Sequence, residues 1–334
     1  MRPGPDNLLT DVAGLAVGNA EDRVRLTGVT VVLSEARATA AVDVRGGAPG
    51  TRETALLSPN CLVGEVDAIV LSGGSAYGLA AADEAMLWLA ERGRGFAIAG
   101  TVVPIVPAAI IFDLGRGQVG GPHPHRGLAR QAAERAGRRF ALGNAGAGTG
   151  AKAGRYKGGL GSASLRNGSW TVGALAVANP VGSPVMPGSG CLWAWWLEQN
   201  GELGGQRPPP PAPPGGHALD LPHEGRLGGH TTLAVVATDA RLGKAECERL
   251  AIMAQDGIAR AVRPSHTPFD GDTVFALATG GAAQPDALGL ATLGQMAADC
   301  LARAIARGVF EAETAAGMPA YRDRHAEAFG AQRR

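Results

Sequence analysis

Gly228-Gly229-His230-Thr231-Thr232-Leu233-Ala234-Val235-Val236-Ala237-Thr238-Asp239-Ala240 is the stretch on which the fold of this chain turns. Its centre, residues 231–238, is rich in β-branched and small apolar side chains and is bounded by glycine on one side and Asp239 on the other. That pattern predicts a buried strand. Downstream, Cys247, Leu250, Ala254, Ile258 and Ala261 recur at helical spacing, and Leu290, Leu293, Ala297, Cys300, Leu301 and Ala304 form a second such stripe. Each reads as an amphipathic helix. Residues 273–278 between them read as another strand. The order strand, helix, strand, helix predicts a mixed α/β architecture.

Working upstream, residues 28–34, 38–44 and 68–71 are β-branched runs and read as strands. A helical pattern over 77–92 stops at Gly93, and a second fits 128–136. Residues 143–161 read as a glycine-rich loop and 170–179 as a strand of small residues. The low-complexity segment GQRPPPPAPPGG, 205–216, favours a solvated polyproline conformation, so 205–217 is expected to be an exposed loop. It marks either a domain boundary or a mobile connection upstream of a processing point. No internal repeat of fixed period is present.

The chain has 334 residues, enough for two average domains or one large α/β domain. Hydrophobic residues make up 45%, which supports a substantial core. Lysine and arginine number 31 against 30 acidic residues, so nothing draws the chain to nucleic acid or to anionic membrane. Small polar or neutral substrates are expected instead. No secretory signal is visible, and the longest apolar stretch, 102–112, contains two prolines and is too short to span a bilayer. Cys61, Cys191, Cys247 and Cys300 lie far apart with no CxxC pair, which fits reduced thiols in a soluble cytoplasmic protein. With 51 glycines and only 4% aromatics, close backbone packing is expected.

Three motifs invite a functional reading and have a plainer one. Residues 146–152 (GAGTGAK) have the outline of a phosphate loop, but Ala151 and Ala153 flank the lysine where G-K-[ST] is required. Close backbone packing explains those glycines better. His123 and His125 lack a carboxylate–histidine helix pattern, so a solvated loop is expected rather than a metal pair. Ser72-Gly73-Gly74-Ser75 lies at a strand-to-helix junction without the spacing of a nucleophile elbow, and reads as a tight turn.

The stronger constellation joins Thr231 and Thr232, at a strand start, to Phe269-Asp270-Gly271-Asp272-Thr273, two carboxylates leading into the next strand. A hydroxyl beside paired carboxylates suits a nucleophile and its orienting groups. An N-terminal threonine would carry its own base, an α-amine of pKa about 7.7–8.0. Strand propensity for the Thr-Thr pair and a turn for Asp-Gly-Asp are the structural alternatives.

The segments NLLTDVAGLAVGNA, TGVTVVL, DVRGGAPGTRET, VDAIVLSGGSAYGLAAADEAM, YKGGLGSAS, TTLAVVATDA and HTPFDGDTVFALATG resemble the P1 peptidase family. It comprises the L-aminopeptidase/D-esterases, the β-peptidyl aminopeptidases and the nylon-oligomer (6-aminohexanoate) hydrolases. The similarity runs from about residue 7 to about residue 307. It implies a single-domain α/β fold, a four-layer αββα sandwich of N-terminal-nucleophile-hydrolase type, spanning 1–334. It also implies a precursor cleaved between His230 and Thr231 into an α chain, 1–230, and a β chain, 231–334. Family members assemble as homo-oligomers, usually homotetramers, of αβ units and need no metal or organic cofactor. By the same resemblance Thr231 is the nucleophile, Asp270 and Asp272 orient it, Lys157 positions or polarises the site, and Asn179 donates to the developing oxyanion. Lys152 competes for the place of Lys157.

Two departures stand out. His230 occupies a position where the family usually has Asn or Gly, so the imidazole crowds the bond to be cut or acts as a local base. The aromatic hydroxyl that some relatives bring to the oxyanion site has no evident counterpart; Phe112, in PIVPAAIIFD, is expected near that site without a hydroxyl. The expected activity is an autoprocessing aminopeptidase acting on small peptides, amides or esters. The alternatives are an endo-acting oligoamide hydrolase and an unprocessed binding homologue disabled by His230.

Overall fold

The computed structural model of the chain describes residues 1–208 and 229–328. Nine strands form one hydrogen-bonded ladder: β1 (Leu15–Asp22), β2 (Thr27–Val44), β3 (Thr51–Arg52), β4 (Glu65–Ser72), β5 (Ala108–Ile110), β6 (Gly159–Asn167), β7 (Trp170–Asn179), β8 (Thr231–Thr238) and β9 (Thr273–Ala278). Their order is β6-β7-β8-β9-β2-β4-β5-β3, with β1 also on β2. The β8/β9 and β4/β5 pairs are parallel and the other pairs antiparallel.

The 18-residue β2 decides the architecture. Its first half pairs with β1 and β4, its second half with β9, and its register shifts between Leu33 and Ala38. The runs 28–34 and 38–44, which read as two strands, are thus one irregular strand whose exposed Glu35 and Ala36 lie at the shift. There the ladder folds back into two stacked sheets, as bulges allow. Alternation along the strands then sorts the side chains. Leu233, Val235, Phe275 and Leu277 from one sheet meet Val32, Ile69 and Leu71 from the other. The opposite faces are covered by helices: α1 (Ala80–Ala90) and α2 (His125–Glu134) on Val29, Val31 and Val70, and α3 (Lys244–Ala254), α4 (Asp256–Ala261) and α5 (Ala287–Phe310) on Ala174, Val236 and Val274. The layers are helix, sheet, sheet, helix, as the resemblance implies. No described helix is long and apolar enough to cross a membrane.

Several boundaries differ from the sequence reading. The helix over 77–92 starts as a 3-10 turn, Ser75–Leu79, before α1. The stripe from Cys247 to Ala261 is split at Gln255 into α3 and α4. The glycine-rich loop 143–161 ends early, because β6 begins at Gly159. A Cβ on Gly161 would lie 1.9 Å from Ala304 O of α5, so glycine there lets the helix backbone rest on the strand. Within 205–208, Gln206 is buried and holds Leu192 N and Leu203 O, while 209–217 fall outside the described residues.

Candidate active site

Strand direction brings the chemistry together. Because β8 and β9 run parallel, the segment entering β9 lies beside the segment entering β8, and His230 bridges to Asp270. Because β7 is antiparallel to β8, its last residue, Asn179, is the direct partner of Thr231. Three strand ends, at Asn179, Thr231 and Thr273, therefore converge on one hydroxyl, as ends of this kind do in sites built on sheets.

Thr231 is buried, and its hydroxyl donates to the carbonyl of His230. That carbonyl also accepts from Gly271 N at 3.0 Å. A Cβ on Gly271 would stand 2.8 Å from Thr231 Oγ1, so only glycine brings this N–H so close. The two carboxylates orient backbone rather than the hydroxyl itself. Asp272 accepts from Thr232 N at 2.7 Å, His266 N at 3.1 Å and His266 Nδ1 at 2.8 Å. Asp270 accepts from Val181 N at 3.0 Å, Thr267 N at 3.1 Å and Thr267 Oγ1 at 2.5 Å. Burial, and then the Asp272 charge, hold the Asp270 carboxyl above the usual carboxylate range.

Asn179 is fully buried, and its Oδ1 accepts from Lys152 N at 3.0 Å and from Arg116 Nη1 at 2.6 Å. Its Nδ2 has no hydrogen-bond partner among the described residues. Lys157 is buried too, with Nζ donating to Gly148 O at 3.0 Å and Gly158 O at 2.7 Å. These bonds tie it to the glycine turns behind Asn179 rather than to Thr231. Burial, then the Arg116 charge, push its pKa down to about 7. His230 is buried without a partner for Nδ1; burial and then the charges of Arg116 and Lys152 lower its pKa to about 4, so the ring is neutral at neutral pH.

Arg116 was invisible in the sequence. It stands in the loop after β5, and its guanidinium reaches Gly150 O at 2.5 Å, Asn179 Oδ1 at 2.6 Å and Gly229 O at 3.3 Å. A lone arginine between glycines carries no motif, and only the fold shows what it reaches. Phe112, partly buried, precedes Asp113 in the same loop. The plainer readings of 146–152 and 72–75 match the geometry, but the solvated loop expected at His123 and His125 does not hold for His125, which is buried as the first residue of α2. Residues 146–148 form a 3-10 turn whose Ala147 N donates to Thr30 Oγ1 of β2 at 3.0 Å. His125 pairs with Thr27 Oγ1 at 3.0 Å, and His123 stacks on Tyr77. Ser72 is buried and donates to Gly73 O.

A buried hydroxyl at a strand start, a free amide donor opposite it and a carbonyl held by a backbone N–H form the equipment of acyl transfer. The sequence pattern of peptidase family S58 matches residues 7–322, and the chain belongs to that family. It is accordingly a hydrolase of the peptidase and amidohydrolase class. An uncharacterized aminopeptidase of Mycobacterium tuberculosis is 46% identical over 97% of this chain and 99% of its own length. A 6-aminohexanoate-oligomer endohydrolase of Kocuria sp. is 33% identical over 83% of this chain and 76% of its own. Among solved structures, the L-aminopeptidase D-Ala-esterase/amidase of Ochrobactrum anthropi superposes with a TM-score of 0.70 at 22% identity, covering 93% of this chain and 88% of that one. That structure is a variant of the Ntn-hydrolase fold, and that is the fold seen here.

Proposed function

We propose that the chain is a self-processing, aminopeptidase-type amide hydrolase with Thr231 as nucleophile, in the cytoplasm, as a homo-oligomer of αβ units. The observation that carries this is the geometry at one peptide bond. Thr231 Oγ1 lies against the carbonyl of the His230–Thr231 bond, whose oxygen accepts from Gly271 N at 3.0 Å. Attack of Oγ1 on the His230 carbonyl carbon puts negative charge on the oxygen that Gly271 N–H already holds. Collapse breaks the C–N bond, the hydroxyl proton ends on the Thr231 nitrogen, and His230 is left as an ester on Oγ1. Water opens the ester and gives a His230 carboxylate and a free Thr231 amine.

In turnover the α-amine takes the hydroxyl proton while Oγ1 attacks a substrate amide or ester. Asn179 Nδ2 donates to the oxyanion, the amine departs with a proton, and water releases the acid. Asp272 holds Thr232 N and Asp270 holds Val181 N, so both flanks of the nucleophile stay in register.

Intact-mass spectra of the purified protein and of Thr231→Ala test the reading. Two chains, 1–230 and 231–334, are expected from the wild type and one uncut, inactive chain from the variant. An uncut wild type would refute self-processing and favour a binding homologue. The 33% identity to an oligoamide endohydrolase supports a second reading of the substrate. Amino-acid p-nitroanilides compared with end-capped linear oligoamides separate the two, since only the endo-acting enzyme cuts the capped chains.

A further inference from the structure

We propose that Arg116 is a positioning residue that fixes the Asn179 amide with Nδ2 turned toward the carbonyl under attack. The inference rests on reading Thr231 as the nucleophile. Arg116 Nη1 lies 2.6 Å and Lys152 N 3.0 Å from Asn179 Oδ1. A guanidinium and a backbone N–H can only donate, so the oxygen must face them; the flipped amide would set its NH2 group against two donors. The orientation of Asn179 thus follows from the chemistry of its neighbours. It leaves Nδ2 as a buried donor without an acceptor among the described residues, on the residue paired with Thr231. Buried donors are normally satisfied, and a substrate carbonyl on Thr231 supplies the missing acceptor.

The same guanidinium binds Gly150 O and Gly229 O, so Asn179 is locked to the chain that enters the cleavage bond. Its planar fork makes these contacts together, which a lysine cannot reproduce. Burial lowers its pKa only to about 10, against the opposing Asp113 charge, so it stays cationic at neutral pH. During self-cleavage the oxyanion belongs to His230 O, which Gly271 N holds. Arg116 and Asn179 are therefore needed for turnover more than for processing.

The test compares wild type, Arg116→Ala, Arg116→Lys, Asn179→Ala and the Arg116→Ala/Asn179→Ala double variant, all as full chains. Chain cleavage is followed by intact mass and turnover with p-nitrophenyl acetate. The expected result is cleavage within about tenfold of wild type in every variant. In Asn179→Ala, kcat should fall about 10²–10³-fold, the usual effect of losing one oxyanion donor. In Arg116→Ala it should fall about 10–100-fold with KM nearly constant, in Arg116→Lys similarly, and the double variant should be no worse than Asn179→Ala alone. Added guanidinium should restore part of the rate to Arg116→Ala and none to Asn179→Ala. An unchanged kcat in both Arg116 variants, or losses that multiply in the double variant, would overturn the positioning role. An uncut wild type, or a Thr231→Ala variant that keeps its activity, would instead overturn the reading of Thr231 as nucleophile.

Discussion

Alanine at Gly271 perturbs the proposed self-cleavage at the one atom that holds the scissile carbonyl. An ideal Cβ there stands 2.6 Å from Ala48 O and 2.8 Å from Thr231 Oγ1, both closer than a carbon tolerates. Ala48 cannot simply retreat, because its N–H donates to Asp270 O at 2.8 Å in the same loop. The easiest relief draws residue 271 away from Thr231, and this lengthens the 3.0 Å bond from its N–H to His230 O. Losing one such donor costs about 10²–10³ in rate, while overpacking costs about 1–3 kcal/mol of stability. Gly271→Ala should therefore fold, melt a few degrees lower, and convert precursor to two chains at least about 100-fold more slowly. Denaturing gels of a time course after purification, with intact mass to confirm the cut, give the rate. Cleavage at the wild-type rate in a folded variant would refute the role assigned to Gly271 N–H.

Asp272→Ala leaves Thr232 N, His266 N and His266 Nδ1 without their acceptor and should cost about 2–4 kcal/mol in urea unfolding besides severe loss of turnover; Asp272→Asn should cost less. Lys157 has a folded pKa of about 7 against an ordinary 10.5, so between these values the unfolded chain binds the extra proton and stability rises with pH. Lys157→Met, compared in the uncut Thr231→Ala background at pH 7, 8 and 9, should flatten that rise by up to about 1.4 kcal/mol per pH unit. An equal slope in both proteins would mean that the lysine titrates normally. Phe275→Ala, fully buried between the sheets, should lower stability by about 3–5 kcal/mol without altering the cleavage site.

Much of this was legible in the sequence, for local reasons. Thr231–Thr238 shows its strand through β-branching, and the 287–310 helix shows its buried face at Leu293, Ala297, Cys300, Leu301 and Ala304, all sealed in the core. The family motifs also named Thr231, Asp270, Asp272 and Asn179, which the fold gathers at one end of three strands, and Lys157, which it sets behind them. β1, β5 and β6 passed unnoticed, since β5 is three residues long and β6 opens with glycines that signal loops until a helix is packed on them.

Periodicity and motif report what a residue prefers and which neighbours along the chain share that preference, and this determined most of the elements and the mixed α/β class, and singled out Thr231 as the candidate nucleophile. The bend in β2 that stacks one sheet on the other, the parallel pairing that sets Asp270 beside His230, and the reach of Arg116 to Asn179 across 63 residues were decided only by tertiary structure. Those relations depend on register and on contacts distant in sequence, and neither leaves a local trace in the order of amino acids.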